Sequence, residues 1–119
     1  MNPNRAALIS EKSLQEAIIE YAEMQGWRVY HTYDSRRCTP GFPDLVMVRG
    51  GHPARLIFAE LKKEGGRVSA VQRTWLNALE DAATGGAGFK ATEDCRMNFE
   101  VYVWRPKDWM DGTVEEVLG

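Results

Sequence analysis

The amino-acid sequence predicts an α/β or α+β sandwich built around one mixed β-sheet. Periodic patterns follow one another in the order helix, three strands, helix, strand, and elements in this order pack as helices against the faces of a sheet. The length of 119 residues suits a single domain with a substantial core. Apolar residues make up 44% and charged residues 27% of the chain, which is typical of globular proteins and excludes a disordered or fibrous class.

The first predicted element is a helix from Glu11 to about Gln25. Ser10 provides an N-cap hydroxyl and Gly26 a C-terminal stop. On a helical wheel, Glu11 lies about 60° from Leu14, inside the apolar arc, whereas the other glutamates of the helix lie on the opposite side. A carboxylate that faces the interior needs a partner or a metal ion. A glutamate in the first turn also complements the helix dipole, so both interpretations stay open.

Three strands are predicted to follow the first helix. The β-branched and aromatic residues of WRVYHTY, residues 27–33, indicate the first strand. The arginine-rich loop DSRRCTPGFP then leads to a second strand at residues 45–49, and the turn GGHPA joins it to a third strand, RLIFAELK, at residues 55–62.

A second helix is predicted after the loop KEGGR, which we expect to be flexible and basic. Ser69 followed by Gln72 has the spacing of a capping box. An apolar stripe of helical period then extends to the glycine-rich break TGGAG. The segment FEVYVWRP, residues 99–106, predicts a late strand, and the acidic tail predicts a short terminal helix.

Charge is distributed unevenly along the chain, although the net charge is only −2. Residues 28–73 contain nine basic and four acidic side chains, which gives +5. The segments on either side carry −2 and −5. Local patches of charge attract phosphate more than net charge does, so a nucleic-acid partner remains open beside the simpler interpretation of a solvated basic face.

Neither the cysteines nor the N-terminal segment indicates a secreted protein. Cys38 and Cys95 are far apart in the sequence and form no CxxC pair, so we expect two reduced thiols and no zinc site or disulfide framework. The stretch MNPNRAALIS lacks the form of a signal peptide, and no apolar run is long enough to span a membrane. We therefore expect a cytoplasmic protein without membrane contact.

Charged residues occur where two apolar strands should be buried. Asp44 follows a proline directly before the second strand, and on its own this dipeptide would be an ordinary turn. In FAELKK, however, Glu60 and Lys62 are two residues apart and project from the same face of a strand. If Asp44 begins the neighbouring strand, two carboxylates and one lysine converge. Carboxylate oxygens suit Mg²⁺ or Mn²⁺, and a metal beside a lysine is suited to phosphodiester hydrolysis.

These residues carry a resemblance to a known family. GFPDLVMV together with FAELKK resembles the PD-(D/E)xK nuclease motif. The wider context, SEKSLQEAIIEYAEMQGWRVYHT, GRVSAVQRTWLNAL and VYVWRP, resembles the VRR-NUC branch of that superfamily. The resemblance extends over a core of roughly residues 10–109 and implies a single VRR-NUC domain over residues 1–119 with the restriction-endonuclease-like fold.

The resemblance also implies functional residues. Asp44, Glu60 and the backbone carbonyl of Leu61 would bind Mg²⁺ or Mn²⁺, Lys62 would be the catalytic lysine, and Glu11 would join the metal site. Gln72 matches a glutamine that follows the ExK strand in the family, and its alternative role is the capping box. The side chains that would contact nucleic acid, by charge or by position at the site, are Arg36, Arg37, Lys63, Arg67 and Gln15.

The function implied by the resemblance is that of a Mg²⁺- or Mn²⁺-dependent endodeoxyribonuclease selective for branched DNA such as Holliday junctions. Stand-alone members of this type imply a homodimer in the cytoplasm of a bacterial or phage-infected cell. The alternatives are a flap-, sequence- or RNA-directed nuclease of the same fold, or a non-catalytic nucleic-acid-binding module. Four large aromatic residues are candidate dimer contacts, with core packing as their alternative role: Phe99, Tyr102, Trp104 and Trp109.

Overall fold

The computed structural model describes residues 3–32, 39–85 and 99–119. The helices within these ranges are α1 (Pro3–Ala7), α2 (Glu11–Met24), α3 (Ala70–Thr84), α4 (Pro106–Met110) and α5 (Thr113–Leu118). The strands are β1 (Arg28–His31), β2 (Leu45–Arg49), β3 (Arg55–Leu61) and β4 (Phe99–Trp104). None of the helices in these stretches has both the length and the apolar character needed to cross a membrane.

The four strands form one mixed sheet in the order β1-β2-β3-β4. The pairs β1–β2 and β2–β3 are antiparallel, whereas β3 and β4 are parallel. A parallel pair needs a crossover connection, and α3 lies in the connection between β3 and β4. The element order and the mixed sheet confirm the predicted α/β sandwich of the restriction-endonuclease-like type.

The two faces of the sheet are covered by different helices. On one face, α2 and α5 contribute to the core cluster, whose buried members are Leu14, Ile18, Ala22, Trp27, Leu45, Met47, Ile57, Ala59, Leu61, Trp104, Val114 and Leu118. Alternation along β3 turns Phe58 to the other face, where its ring packs edge-to-face against Phe42, and Phe42 packs in the same way against Trp75 of α3. The sheet therefore has α2 on one face and α3 on the other, while Tyr30 of β1 and Val48 of β2 stay exposed on the α3 face.

The start of β1 and the end of β4 differ from the sequence prediction, because the neighbouring helices begin or end at those positions. β1 begins at Arg28 rather than Trp27, because the backbone N–H of Trp27 donates to the carbonyl of Ala22 at the end of α2. β4 ends at Trp104 because Pro106 begins α4. The acidic tail contains two short helices, and α1 was not predicted.

The C-terminal helix α5 is held against the sheet by hydrogen bonds to its last carbonyls. Trp27 Nε1 donates to the carbonyl of Leu118 over 2.8 Å. Arg49 Nη1 donates to the same carbonyl over 3.1 Å, and Arg55 Nη1 donates to that of Val117 over 2.8 Å. Cationic groups at a helix C-terminus also complement the helix dipole. The same two arginines lie over the Trp27 ring, 4.7 and 5.2 Å from its centroid, as cation–π contacts.

Of the aromatic residues predicted as candidate dimer contacts, Trp104 is buried, whereas Phe99, Tyr102 and Trp109 are half-buried and also pack within the chain. Trp104 is buried in the core cluster, and Tyr102 and Trp109 pack against that cluster. Phe99 packs edge-to-face against Phe58. These contacts within the chain support the core-packing interpretation of all four.

Candidate active site

The predicted Asp44 and Glu60 meet at one end of the sheet. The last residue pair between β2 and β3 is Leu45 opposite Ala59, so Asp44 and Glu60 occupy the next position of the same antiparallel register. Residues in this relation point to the same face, with Cβ atoms about 5 Å apart. The register therefore brings together the two carboxyl groups that the sequence suggested.

Backbone contacts on both sides fix Asp44. Its carbonyl accepts a hydrogen bond from the N–H of Thr32, at the end of β1, over 3.0 Å. Its Oδ2 accepts from the N–H of Leu61, at the end of β3, over 2.8 Å. Asp44 is therefore held by the strands on either side of β2 and is not the free turn residue of the alternative interpretation.

Gly41 allows the chain to reach Asp44 by a route close to α3. Its φ of +86° lies in the left-handed region, which residues with a Cβ rarely adopt. A Cβ atom at this position would also lie 2.8 Å from the backbone carbonyl carbon of Val71, in the first turn of α3. Glycine is required here for both reasons, and the close approach anchors the segment before Pro43, which is buried.

Glu60 is the polar residue with the least solvent exposure in the described structure, at 2%. Its Oε1 accepts from Gln72 Nε2 over 3.2 Å, whereas its Oε2 has no hydrogen-bond partner in the described structure. The pKa of Glu60 is raised to about 9. Burial is the largest cause, followed by a hydrogen bond with Asp44 and by the negative charge of Asp44. That hydrogen bond requires one of the two carboxyl groups to be protonated, because two carboxylates offer only acceptors. When both are ionised, Oε2 has no donor among the described residues, and two adjacent carboxylates of which one is buried attract a proton or a cation.

Gln72 has both of the roles that the sequence left open. Its Oε1 accepts from the N–H of Ser69 over 2.8 Å, and its own N–H donates to Ser69 Oγ over 3.2 Å, which completes the capping box of α3. The other end of the same amide donates to Glu60. The first turn of α3 is thereby joined to the carboxylate pair through one side chain.

Lys62 follows the end of β3 and is half-buried. Its backbone N–H donates to the carbonyl of Trp104 over 3.0 Å, so pairing with β4 continues one residue beyond the strand. Its positive charge lowers the pKa of Glu60, against the larger effects that raise it. Lys63 is exposed, and the strand alternation predicted for these neighbours is consistent with this difference.

A cavity of about 260 Å³ opens beside the carboxylates, on the side of α2. Its walls are Glu11, Lys12, Gln15, Thr32, Asp44 and Leu61. Glu11 is exposed and projects into this space, and its charge contributes to the raised pKa of Glu60. Glu11 thus lies on the cavity side of α2, but it is exposed at the cavity wall and does not face the interior as the helical wheel indicated.

Lys12 and Thr32 were not selected from the sequence. Lys12 is next to Glu11 and carried no signal in the apolar periodicity. Thr32 follows the last residue of β1, and only the β1–β2 register, which pairs its N–H with Asp44, identifies it.

The donor set suits a hard divalent cation with water among its ligands. In the described part of the chain, no group of three or more His, Cys, Asp or Glu side chains is arranged to hold a metal ion. Asp44 and Glu60 thus form a carboxylate pair, with Glu11 on the wall of the adjoining cavity. Mg²⁺ commonly binds proteins through one or two carboxylates and keeps several waters. The unpartnered Glu60 Oε2 is consistent with such an ion.

The residues predicted to contact nucleic acid are only partly described. Lys63 and Arg67 are exposed on the segment between β3 and α3, and Gln15 lies on the cavity wall. Arg36 and Arg37 lie outside the described residues, as do Cys38 and Cys95.

Comparison with known proteins identifies the family. The VRR-NUC domain model matches residues 4–102, which include every predicted site residue. No curated protein and no solved structure matches the chain significantly. The chain belongs to the VRR-NUC family and contains a nuclease domain of that family.

Proposed function

We propose that the chain is a divalent-metal-dependent endodeoxyribonuclease that hydrolyses phosphodiester bonds beside Asp44, Glu60 and Lys62. The observation that carries this proposal is the pairing of half-buried Asp44 with buried Glu60, whose Oε2 has no hydrogen-bond donor within the described ranges. A divalent cation would offset both charges and fill this coordination gap. Membership in a nuclease family supplies the reaction class.

Mg²⁺ or Mn²⁺ is the cofactor that these ligands fit best. We assign Asp44, Glu60 and the carbonyl of Leu61 as its ligands, and Glu11 as a further acid that contributes across the cavity. When bound, such an ion polarises a phosphoryl oxygen and lowers the pKa of a coordinated water.

The remaining residues act on the water and on the carboxylates. Hydrolysis forms a bond between a water oxygen and phosphorus, and breaks the bond between phosphorus and the leaving oxygen. Lys62 orients the attacking water or accepts a proton from it, and its ammonium form offsets the charge of the transition state. The leaving oxygen takes up a proton from solvent. Gln72 fixes the carboxylate of Glu60 by donating to Oε1, which leaves Oε2 available for the ion.

We propose branched DNA as the substrate and a homodimer as the active form. The positive charge of residues 28–73 supports contact with the phosphate backbone. Resolution of a four-way junction takes two symmetric cuts, and a twofold dimer supplies two sites at a fixed separation. Exposed Lys63 and Arg67 on the β3–α3 segment would flank each site.

The decisive experiment measures cleavage of end-labelled nucleic acids of different structure. A four-way junction, a 5′ flap, a linear duplex and a single-stranded RNA are each incubated with Mg²⁺, Mn²⁺, Ca²⁺ or EDTA. We expect cleavage of the junction with Mg²⁺ or Mn²⁺, none with EDTA, and binding without turnover with Ca²⁺. Preferred cleavage of flap or RNA would change the substrate assignment, and cleavage in EDTA would exclude the metal-dependent reaction.

A further inference from the structure

The segment between β3 and α3 is held by residues that follow β4. It begins at Lys62, contains Gly65 and Gly66, and was predicted to be flexible. A tight turn spans Lys63 to Gly66, in which the N–H of Gly66 donates to the carbonyl of Lys63 over 3.0 Å. Gly65 has a φ of +75°, as the third residue of a type II turn requires. Two adjacent glycines make such a turn costly to order in isolation.

Arg105 links the two ends of this turn. Its Nη1 donates to the carbonyl of Lys63 over 3.1 Å and to that of Gly66 over 2.7 Å. Hydrogen bonds from a charged donor are stronger than neutral ones. The backbone N–H of Lys107 adds a bond to Glu64 Oε1 over 2.8 Å. Together with the bond from Lys62 N–H to Trp104, these contacts join the whole turn to the β4–α4 junction.

We propose that Arg105 is a positioning residue for Lys62, an inference that rests on the proposed function. A lysine side chain has four rotatable bonds, so the location of its amine depends first on a fixed backbone. The backbone of Lys62 is fixed by β3 on one side and by the turn on the other. Arg105 orders the turn without being placed at the carboxylate pair. It also lies beyond the residues that the family model matches.

The consequence is a specific loss when Arg105 is removed. Displacement of a catalytic group by about 1 Å can lower a rate by about 100-fold. We expect Arg105→Ala to reduce kcat by about 10-fold or more, with the Kd for DNA, measured with Ca²⁺, changed by less than about 3-fold. Arg105→Lys retains a cationic donor and should recover most of the rate. Arg5→Ala, which removes an exposed arginine from α1, outside the basic segment of residues 28–73, should leave kcat unchanged.

A double-mutant cycle separates positioning from a general structural role. If Arg105 acts through Lys62, Arg105→Ala should lower kcat by less than about 2-fold when Lys62 is already alanine. An equal loss in both backgrounds would overturn the proposal. So would a Kd that rises as much as kcat falls, because Arg105 would then be a phosphate contact.

Hydrogen exchange gives a measure that does not depend on cleavage. Amides of residues 62–68 should exchange at least about 10-fold faster in Arg105→Ala than in wild type. Exchange in α2 should not change, and Arg5→Ala should exchange like wild type. Unchanged exchange in residues 62–68 would overturn the proposal even if the enzyme is active. If wild type cuts no DNA, the proposed function fails, and this exchange result still decides whether Arg105 orders the turn.

Discussion

Glu60 is buried and its Oε2 has no hydrogen-bond donor among the described residues, which determines how the metal-free protein should respond to pH. Its pKa is raised to about 9, first by burial. A group whose pKa is higher in the folded protein contributes most stability below its unfolded pKa, and that contribution is lost as pH rises toward the folded value. Between pH 5 and pH 9, an ionisable Glu60 therefore makes the metal-free fold progressively less stable.

Glu60→Gln should remove this penalty. The amide supplies an N–H where two carboxyl groups meet, and it carries no charge. In EDTA we expect its Tm at pH 8 to exceed that of wild type by at least about 4 °C, with the difference vanishing near pH 5. Thermal unfolding followed by circular dichroism measures this. Glu23→Gln, on the exposed face of α2, is the control. A Glu60→Gln protein that is less stable than wild type at pH 8 would refute the account of the pair.

Asp44→Asn tests the metal ligands without disturbing the fold. The asparagine carbonyl oxygen can still accept the hydrogen bond from Leu61 N–H, but a neutral amide is a much poorer ligand for a hard cation. We expect cleavage with Mg²⁺ to fall at least about 100-fold, while DNA binding, measured by fluorescence anisotropy, survives. Asp81→Asn, an exposed change on α3, should cut normally. Wild-type cleavage by Asp44→Asn would remove Asp44 from the site.

Lys62 and Lys63 provide a matched pair of adjacent lysines. Lys62 is half-buried and interacts electrostatically with Glu60, whereas Lys63 is exposed. Lys62→Ala should lower kcat by about 100-fold or more with a small change in DNA affinity, as expected for a group acting on the transition state. Lys63→Ala should change affinity slightly and in a salt-dependent manner. Equal losses of kcat and affinity in Lys62→Ala would identify a phosphate anchor instead.

At the scale of elements, Gln72 connects the capping box of α3 to the carboxyl group of Glu60. Gln72→Ala removes both the acceptor for Ser69 N–H and the donor to Glu60. Ser69→Ala removes only the hydroxyl half of the cap. We expect each variant to lose about 1 kcal/mol of stability, but only Gln72→Ala to lose about 10-fold or more in kcat. Comparable rates in the two variants, measured at saturating DNA, would show that Gln72 serves the helix alone.

The order of these elements could be predicted because each depends on local signals. The apolar period of α2, the alternation in β2 and β3, and the Ser69–Gln72 spacing are all properties of short segments. The β2–β3 register could not be predicted from these signals. It depends on how the turn at residues 50–54 closes and on which faces pack.

The restriction to local signals also explains which features of the site could be predicted from the sequence. Strand alternation placed Glu60 and Lys62 on one face, and the motif selected Asp44. The contact between Gln72 and Glu60 requires the packing of α3 on the sheet, and the link from Arg105 to the turn joins segments about 40 residues apart. Contacts of that kind follow from tertiary structure and leave no periodic pattern.

At the scale of the whole molecule, charge separates the site from its surroundings. The exposed cations Lys63 and Arg67 lie on the β3–α3 segment, next to the catalytic candidates. The outer face of α2 instead presents Glu16, Glu20 and Glu23, all exposed or half-buried. DNA phosphates are repelled by the acidic face of α2 and attracted to the basic β3–α3 segment. We therefore expect DNA to approach from the side of α3 and the β3–α3 turn.

The last property to test is the oligomeric state. One site makes one cut, whereas resolution of a four-way junction takes two cuts. We expect a homodimer whose twofold axis relates two identical sites. Of the four aromatic residues considered for its interface, Trp104 is buried, whereas Phe99, Tyr102 and Trp109 are half-buried and stay candidates. Analytical ultracentrifugation at micromolar concentration should give about twice the chain mass of 13.5 kDa. Junction affinity should also fall steeply as salt rises from about 50 to about 200 mM. A monomer that still makes paired, symmetric cuts would refute the dimer, and a monomer that prefers flaps would move the substrate assignment to flap DNA.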